Sequence, residues 1–427
     1  MSADAWRTRV LDFLHEQRQS IVADLSASVR LPSVSGSDHE NDIQHELCEQ
    51  VSDLGLEVDS WEIPLAETLG AAGFPGVEVD RREAWGLVAR ISGAGSDEDD
   101  SLMFNAHVDV VPPGTLRAWR GSDPFSGHID AEYVHGRGSC DMKGGLIAAM
   151  WVVRALARLQ VPLRGDLLLA CVQGEEDGGL GTFSTIERGW SADACVIPEP
   201  TSLDLVPANA GSLTFRLRIP GRATHASRRT SGVSAVEKFI PVFNALRRLE
   251  SQRNMAVHPL MARWDIAYPI EIGMVRSGDW SSTVPDLLVA EGRFGVALEE
   301  SPESAKSMFV AAIREVCEGD AWLRNHPVEI EWWGGQFTPG LTDLDASILG
   351  SLRRAHSSVS DYRQEVWGAP YGSDLRLMSG RGGVPTIHYG PGDARLAHGP
   401  MEKVPIAEVF TATNTLAVLA LDYCGVR

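Results

Sequence analysis

The chain is poor in the features that would commit it to nucleic acid, a membrane or the cell exterior. It has 38 lysines and arginines against 58 aspartates and glutamates, a formal net charge of −20. Nucleic acid and anionic lipid both demand clustered basic charge, so neither is the expected partner. No apolar run approaches the length of a membrane span. The first stretch, MSADAWRTRVLDFLHEQRQ, is amphipathic and mixed in charge; with no apolar core and no small-residue cleavage site, it is not expected to be a secretory signal. Cysteines are few (Cys48, Cys140, Cys171, Cys195, Cys317 and Cys424), and none stands in CxxC spacing. In a chain of 427 residues that argues against a disulfide framework or a thiolate zinc site, and it points to the cytoplasm. No internal repeat is present, and the acidic GAGSDEDDS segment at 93–101 is expected to be a solvated turn.

What is present is ordinary in bulk and specific in detail. Hydrophobic residues at 44% and charged residues at 22% fit a soluble globular protein, and the length fits two domains or three. Trp6, Val10, Phe13, Leu14, Ile21, Leu25 and Val29 recur at helical spacing, predicting one helix over 5–30 and a second over 40–54. Apolar strands then alternate with helices: SLMFNAHVDVV, a helix from Gly144 to Leu159, DLLLACVQGEE, a short helix near Thr182, and ADACVIPEP. That alternation predicts an α/β fold, an αβα arrangement around a mostly parallel sheet.

The pattern changes after Asn209. LTFRLRI at 213–219 alternates strictly. A helix over 234–250 follows, with Pro241 expected to kink it or shift its start. Strands near 270–276 and 284–296 come next, then a helix capped by Ser301 with Pro302 in its first turn, then VEIEWW. This is a βαββαβ, ferredoxin-like unit inserted into the first domain. Helix 343–358, strand VPTIHYG and a helix from Pro405 to Leu421 resume the first pattern. The expected division is therefore 1–210, 211–335 and 336–427.

Polar residues gather where the strands of the first domain end. NAHVD offers His107 and Asp109, which share a strand face, so one can orient the other. GRGSCDMKGG offers Asp141, VQGEEDGG offers Glu175 and Glu176, VIPEPTS offers Glu199, and YGPGDARLAHGPMEKV offers His398. Each alone has an ordinary explanation: a structural histidine, a solvated turn, a helix cap, a surface kink. Together, two histidines and several carboxylates beyond the strand ends of one sheet form the ligand set of a zinc, manganese or cobalt site, with a carboxylate to spare as base.

The ordered set HVDVVPPG, GRGSCDMKGG, GEEDGG, EPTS and AHGPMEKV resembles that of the co-catalytic dizinc amidohydrolases and metallopeptidases. That family includes acetylornithine deacetylase, succinyl-diaminopimelate desuccinylase, aminoacylase and glutamate carboxypeptidase. The resemblance implies two divalent ions, zinc first, with cobalt or manganese as alternatives. His107, Asp141 and Glu199 would hold one; Asp141, Glu176 and His398 the other. Glu175 would be the general base, and Asp109 would hydrogen-bond the far nitrogen of His107. The inserted unit would be a lid that forms a homodimer and sends His225 into the partner's site to stabilise the oxyanion. Arg228 and Arg229 beside it are candidates to draw an anionic substrate. Arg376, Gly390 and Gly392 match pocket and loop segments of the family.

One departure concerns the substrate. Glutamate- and succinyl-cleaving members carry Asn before the lid's Val-Pro and an Arg on the next strand; here those places hold Thr283 and Gly295, with Arg293 nearby as a substitute. The expected activity is hydrolysis of an amide by a metal-bridged hydroxide, with an N-acyl amino acid as substrate. The alternatives are an N-formyl aminopyrimidine or another non-amino-acid amide, or a dipeptide or carboxypeptidase substrate. Glu199 looks like the aminoacylase and carboxypeptidase members; aminopeptidase and dipeptidase members tend to carry Asp there. A non-catalytic binding protein is disfavoured by the intact Glu175 and ligand set.

Overall fold

Leu102–His107 is buried along its whole length, as a strand covered on both faces must be. It runs parallel to Leu167–Val172 on one side and Ala194–Ile197 on the other, and Thr386–His388 extends the parallel block. The computed structural model describes residues 1–96 and 99–427, so residues 97 and 98 of the acidic turn lie outside the described residues. Around the parallel centre the sheet grows to nine strands, with antiparallel additions at both sides, Glu57–Glu62 and Trp85–Ile91 on one and Leu205–Asn209 on the other. Helices Gly144–Leu159, Ser347–Ser357 and Ile406–Tyr423 share one hydrophobic core with these strands.

The single helix expected over 5–30 is two, Ala3–Glu16 and Arg18–Arg30. Gln17 leaves helical geometry at φ −89°, ψ 10°. No residue between Leu14 and Ile21 is buried, so no packing holds that turn straight.

A second, four-stranded antiparallel sheet has the order Ile270–Ser277, Leu287–Val296, Gly211–Pro220, Glu329–Phe337. Helices Ala235–Arg253 and Pro302–Gly319 pack on it, giving the ferredoxin-like arrangement. Alternation does what it should in Gly211–Pro220. Leu213, Phe215, Leu217 and Ile219 enter the second core, while Arg216 bonds Glu291 and Glu331 on the strands either side. Ser301 caps its helix as expected. Pro241 does not set a helix start: Ser234 caps the helix at Ala235, which continues through the proline. Val242, Leu246 and Leu249 bury its far side against the sheet.

Two glycines bring the site together. A Cβ on Gly145 would stand 1.8 Å from the Pro198 carbonyl oxygen, and one on Gly390 2.3 Å from it. Only hydrogen at both positions lets the helix after Asp141 and the loop after His388 close on the Pro198–Glu199 backbone.

Candidate metal centre and active site

Asp141 lies between two histidines. Its Oδ1 is 3.3 Å from His107 Nε2, and its Oδ2 is 3.3 Å from His398 Nε2. Glu199 Oε1 is 3.7 Å from His107 Nε2, and Glu176 Oε2 is 3.1 Å from His398 Nε2. The donors thus fall into two overlapping sets that share Asp141. Donor atoms of His107, Asp141 and Glu176 lie within 4.8 Å of one another, as do those of His107, Glu175 and Glu199. All five residues expected as ligands, and Glu175, are therefore in one place. They come from the ends of Leu102–His107, Leu167–Val172 and Ala194–Ile197 and from the loops before residues 144 and 406.

The turn carrying Asp141 is held from behind. Glu402 Oε1 accepts from the backbone N–H groups of Cys140 and Asp141 at 3.1 and 3.2 Å, and its other oxygen is bound by buried Arg137. The Asp141–Met142 peptide is cis. Buried Lys143 donates to the carbonyls of Ser28 and Leu31, tying the same turn to the second helix.

The expected partnership of Asp109 with His107 needs correcting. His107 Nδ1 is 2.9 Å from the Asp109 backbone carbonyl, while the carboxylate is 3.7 Å away. That carboxylate instead accepts from the N–H groups of Glu175 and Glu176, at 3.2 and 3.3 Å, and from Ser35 Oγ at 2.9 Å. Strand alternation brings the two residues to one face, but the open N–H groups of the 175–176 turn compete better for a carboxylate than one imidazole N–H does. Asp109 still orients His107, through its main chain, and its side chain fixes the Glu175–Glu176 turn.

Burial pushes the Glu175 carboxyl well above the usual carboxylate range, reinforced by the charge of Asp374. Burial does the same to Glu199, with Asp141 adding to it. Burial alone would raise Asp141 too, but its hydrogen bonds to His107 and His398 outweigh that and lower it. Burial would keep His107 neutral; Asp141, Glu199 and Glu175 overcome it and raise its pKa well above normal. Glu176, then Asp141, raise His398 in spite of its own desolvation. So much buried negative charge around two imidazoles is the environment that divalent cations satisfy, and oxygen and imidazole donors without thiolate suit zinc, cobalt or manganese. The residues present fit such ions.

A cavity of about 640 Å³ opens over this cluster. Val111, Pro112, Pro269, Trp333, Phe337 and Tyr371 give it an apolar wall, and Arg293 reaches it from the lid-like sheet. Arg293 Nη2 is 2.9 Å from Glu78 Oε1, which also accepts from Thr214 Oγ1 at 2.8 Å. Arg376 lies behind the wall, buried, donating to the carbonyls of Ser373 and Gly178. It ties two loops together. Gly390 and Gly392 also lie behind the ligand residues, against Pro198 and Cys140. His225 and Thr283 bridge each other and are not on the cavity wall of their own chain. Arg229 pairs with Glu237, and both Arg228 and Arg229 are exposed away from that wall.

Residues 103–422 match peptidase family M20/M25/M40. The chain belongs to this family. The N-formyl-4-amino-5-aminomethyl-2-methylpyrimidine deformylase of Halalkalibacterium halodurans is 25% identical over 88% of this chain and 87% of its own length. A succinyl-diaminopimelate desuccinylase from Methylobacterium nodulans is 35% identical, over 38% of this chain and 44% of its own. In fold, the dipeptidase Dug1p from Saccharomyces cerevisiae superposes with a TM-score of 0.77 over 99% of each chain, at 15% identity. The M20 chain is thus a metal-dependent hydrolase of C–N bonds with a divalent-metal site, and no helix among its described residues is long and apolar enough to cross a membrane.

Glu78, Tyr371, Glu402 and Arg137 escaped the sequence reading. Glu402 stands inside the AHGPMEKV segment and Tyr371 directly before the Gly-Ser-Asp that leads to Arg376, so adjacency to those motifs was the available signal. Glu78 lies in a loop without periodicity, and no local signal marks it.

The raised groups have a measurable consequence. Glu199, His107 and His398, all raised, lean toward their protonated forms without a cation, and as ligands they must be deprotonated on binding. Zinc titrated into metal-free protein in weak buffer at neutral pH should release protons, seen with an indicator dye. Apparent affinity should be tighter at pH 8 than at pH 6; proton uptake on loading would contradict this.

Proposed function

We propose that this M20 hydrolase removes a small acyl group from an amine that carries an aromatic ring and no carboxylate, and that an N-formyl aminopyrimidine is the substrate type that fits best. The observation that carries this is the Arg293–Glu78 pair. The arginine expected to grip a substrate carboxylate is already neutralised inside the cavity, and the remaining wall is aromatic and proline-rich. A substrate carboxylate would have to share that arginine with Glu78, beside a cluster of like charge. The full-length similarity to a pyrimidine deformylase supports the same reading.

In this reading residues 211–335 form the lid, and 1–210 with 336–427 the catalytic unit. His107, Asp141 and Glu199 hold one zinc ion, and Asp141, Glu176 and His398 a second. When bound, the ions supply a Lewis acid for the amide carbonyl and acidify water. Glu175 takes the proton of the attacking water and returns it to the leaving nitrogen. Asp109 keeps Glu175 in place by binding the turn's N–H groups. The six free cysteines suit a cytoplasmic protein.

The test compares N-formyl-4-amino-5-aminomethyl-2-methylpyrimidine with N-acetyl and N-succinyl amino acids. Wild-type kcat/KM should favour the pyrimidine by at least about tenfold, roughly 1.4 kcal/mol. Glu78→Ala, by freeing Arg293, should shift that ratio toward the acids. A wild-type preference for N-acyl amino acids would return the carboxylate-clamp reading to first place.

Glu175→Gln should keep its metal content, measured by elemental analysis, and lose about 10²–10⁴-fold in kcat, the range of general acid–base catalysis. Metal loss with activity would make Glu175 a ligand instead.

The lid also supports a homodimer. Val236, Ile240 and Phe243 share one exposed face of its helix, and its edge strand exposes Met274 and Val275, one on each face. Such a dimer would let His225 serve the partner's site. Ile240→Glu should yield monomers by light scattering and lower kcat as far as His225→Ala does; a fully active monomer would refute both roles.

A further inference from the structure

We infer that the Tyr371 hydroxyl is a catalytic group: it donates a hydrogen bond to the carbonyl oxygen of the bound amide as that oxygen gains negative charge. The inference rests on the amide-hydrolysis reading but not on the identity of the amine.

Two buried donors on the cavity wall, Trp333 Nε1 and Tyr371 Oη, have no hydrogen-bond partner. Buried donors are nearly always paired in folded proteins, so an orphan on the wall of a binding cavity calls for an acceptor on the ligand. Position separates the two. Trp333 belongs to the lid strand Glu329–Phe337, and its ring lies 4.4 Å from the Arg216 guanidinium. Tyr371 follows the catalytic-sheet strand Val366–Ala369, and its ring packs in the small cluster of Val206, Trp367 and Ala369. It lines the cavity together with Asp141, Glu175 and Glu199. Apart from burial, the influences on its hydroxyl are Glu199 and Asp141, then Cys140 and Glu175. Burial, first among the causes, pushes the phenol up and favours its protonated, donating form.

Ser212 of the wall belongs, like Trp333, to the second sheet, and the other hydroxyls on the catalytic-sheet side are engaged. Ser35 donates to Asp109 at 2.9 Å, and Ser373 is 2.9 Å from His388 Nε2. His225 is not on this wall. Tyr371 is therefore the donor that this chain itself offers to a carbonyl lying over the cluster. The backbone gives it a fixed position. Pro370 precedes it, and Ala369 is anchored by its carbonyl to the Ala210 N–H at 2.8 Å.

The chemistry is simple to balance. Water oxygen bonds to the carbonyl carbon, its proton passes to Glu175, and the C=O π pair moves onto oxygen. Tyr371 donates a hydrogen bond to that oxygen and transfers no proton. When the pair returns, the C–N bond breaks and the nitrogen takes the proton from Glu175. The hydrogen bond strengthens only where charge develops, which is the condition for raising kcat without tightening substrate binding.

The test is Tyr371→Phe, which keeps the ring and its packing. On the N-formyl pyrimidine, kcat should fall by about 10²–10³-fold, as for loss of one oxyanion donor, with KM nearly unchanged. Metal content should equal wild type. The corresponding phosphonamidate, a mimic of the tetrahedral state, should lose affinity by the same factor in calorimetry, while the product amine loses none. Wild-type kcat in Tyr371→Phe would overturn the inference. So would loss of metal alongside activity, because the hydroxyl would then be holding Glu199 or Asp141. If wild-type protein hydrolyses no N-acyl amine, the proposed function itself fails; if wild type is active and Tyr371→Phe matches it, only the role of Tyr371 fails.

Discussion

Negative charge packed at the floor of a cavity is the constraint on which this molecule turns. Asp141, Glu175, Glu176 and Glu199 converge with two imidazoles beyond the ends of the parallel strands. Such a cluster is unfavourable by itself, since like charges in low dielectric repel and burial penalises each. The surrounding structure is arranged to hold it regardless. Glu402 and Arg137 grip the Asp141 turn from behind, Asp109 grips the Glu175–Glu176 turn, and two glycines let the Glu199 backbone be approached from both sides. Each device uses main-chain groups, which cannot wander as side chains do. The site is thus prepared for cations before they arrive.

The loop before the first buried strand adds a second layer. The Glu78 N–H bonds Asp177, directly after the Glu175–Glu176 pair, while its side chain bonds Thr214 and Arg293 on the second sheet. Pro75 accepts from the Gln336 N–H of that sheet at 2.8 Å. Arg81 locks the loop's far end to Glu40 and Asp177 with buried, bidentate bonds. One short segment therefore ties the reacting carboxylates, the cavity wall and the second sheet together. It lies before residue 103, where the family match begins.

Much of this was legible in sequence because it is carried by short-range pattern. A strand buried on both faces is mostly apolar, so the polar residues that end it stand out, as His107 does after Leu102–Ala106, where the one other polar side chain, Asn105, is satisfied by Thr182. The alternation of Leu213 to Ile219 marked a different kind of sheet, and the structure has it. Patterns of this kind fail where packing is absent, as at Gln17, or where the deciding partner is remote. Arg293 was legible as a cation on the right strand, but its neutraliser is 215 residues away. Asp109 was legible as the companion of His107, yet its carboxylate turned to the N–H groups of a turn 66 residues on.

By itself the sequence determined the two kinds of sheet, the family and the residues that gather at the strand ends, since periodicity and motif order are local and survive without coordinates. Tertiary structure alone decided which carboxylate sits between which histidines, that the expected carboxylate clamp is already paired, and that Tyr371 brings an unpaired hydroxyl to the wall over the cluster. The reason is physical. Charge pairing, burial and orphaned donors are properties of groups brought together by loop closure, and the energy of such a meeting is not written in the spacing of either partner along the chain.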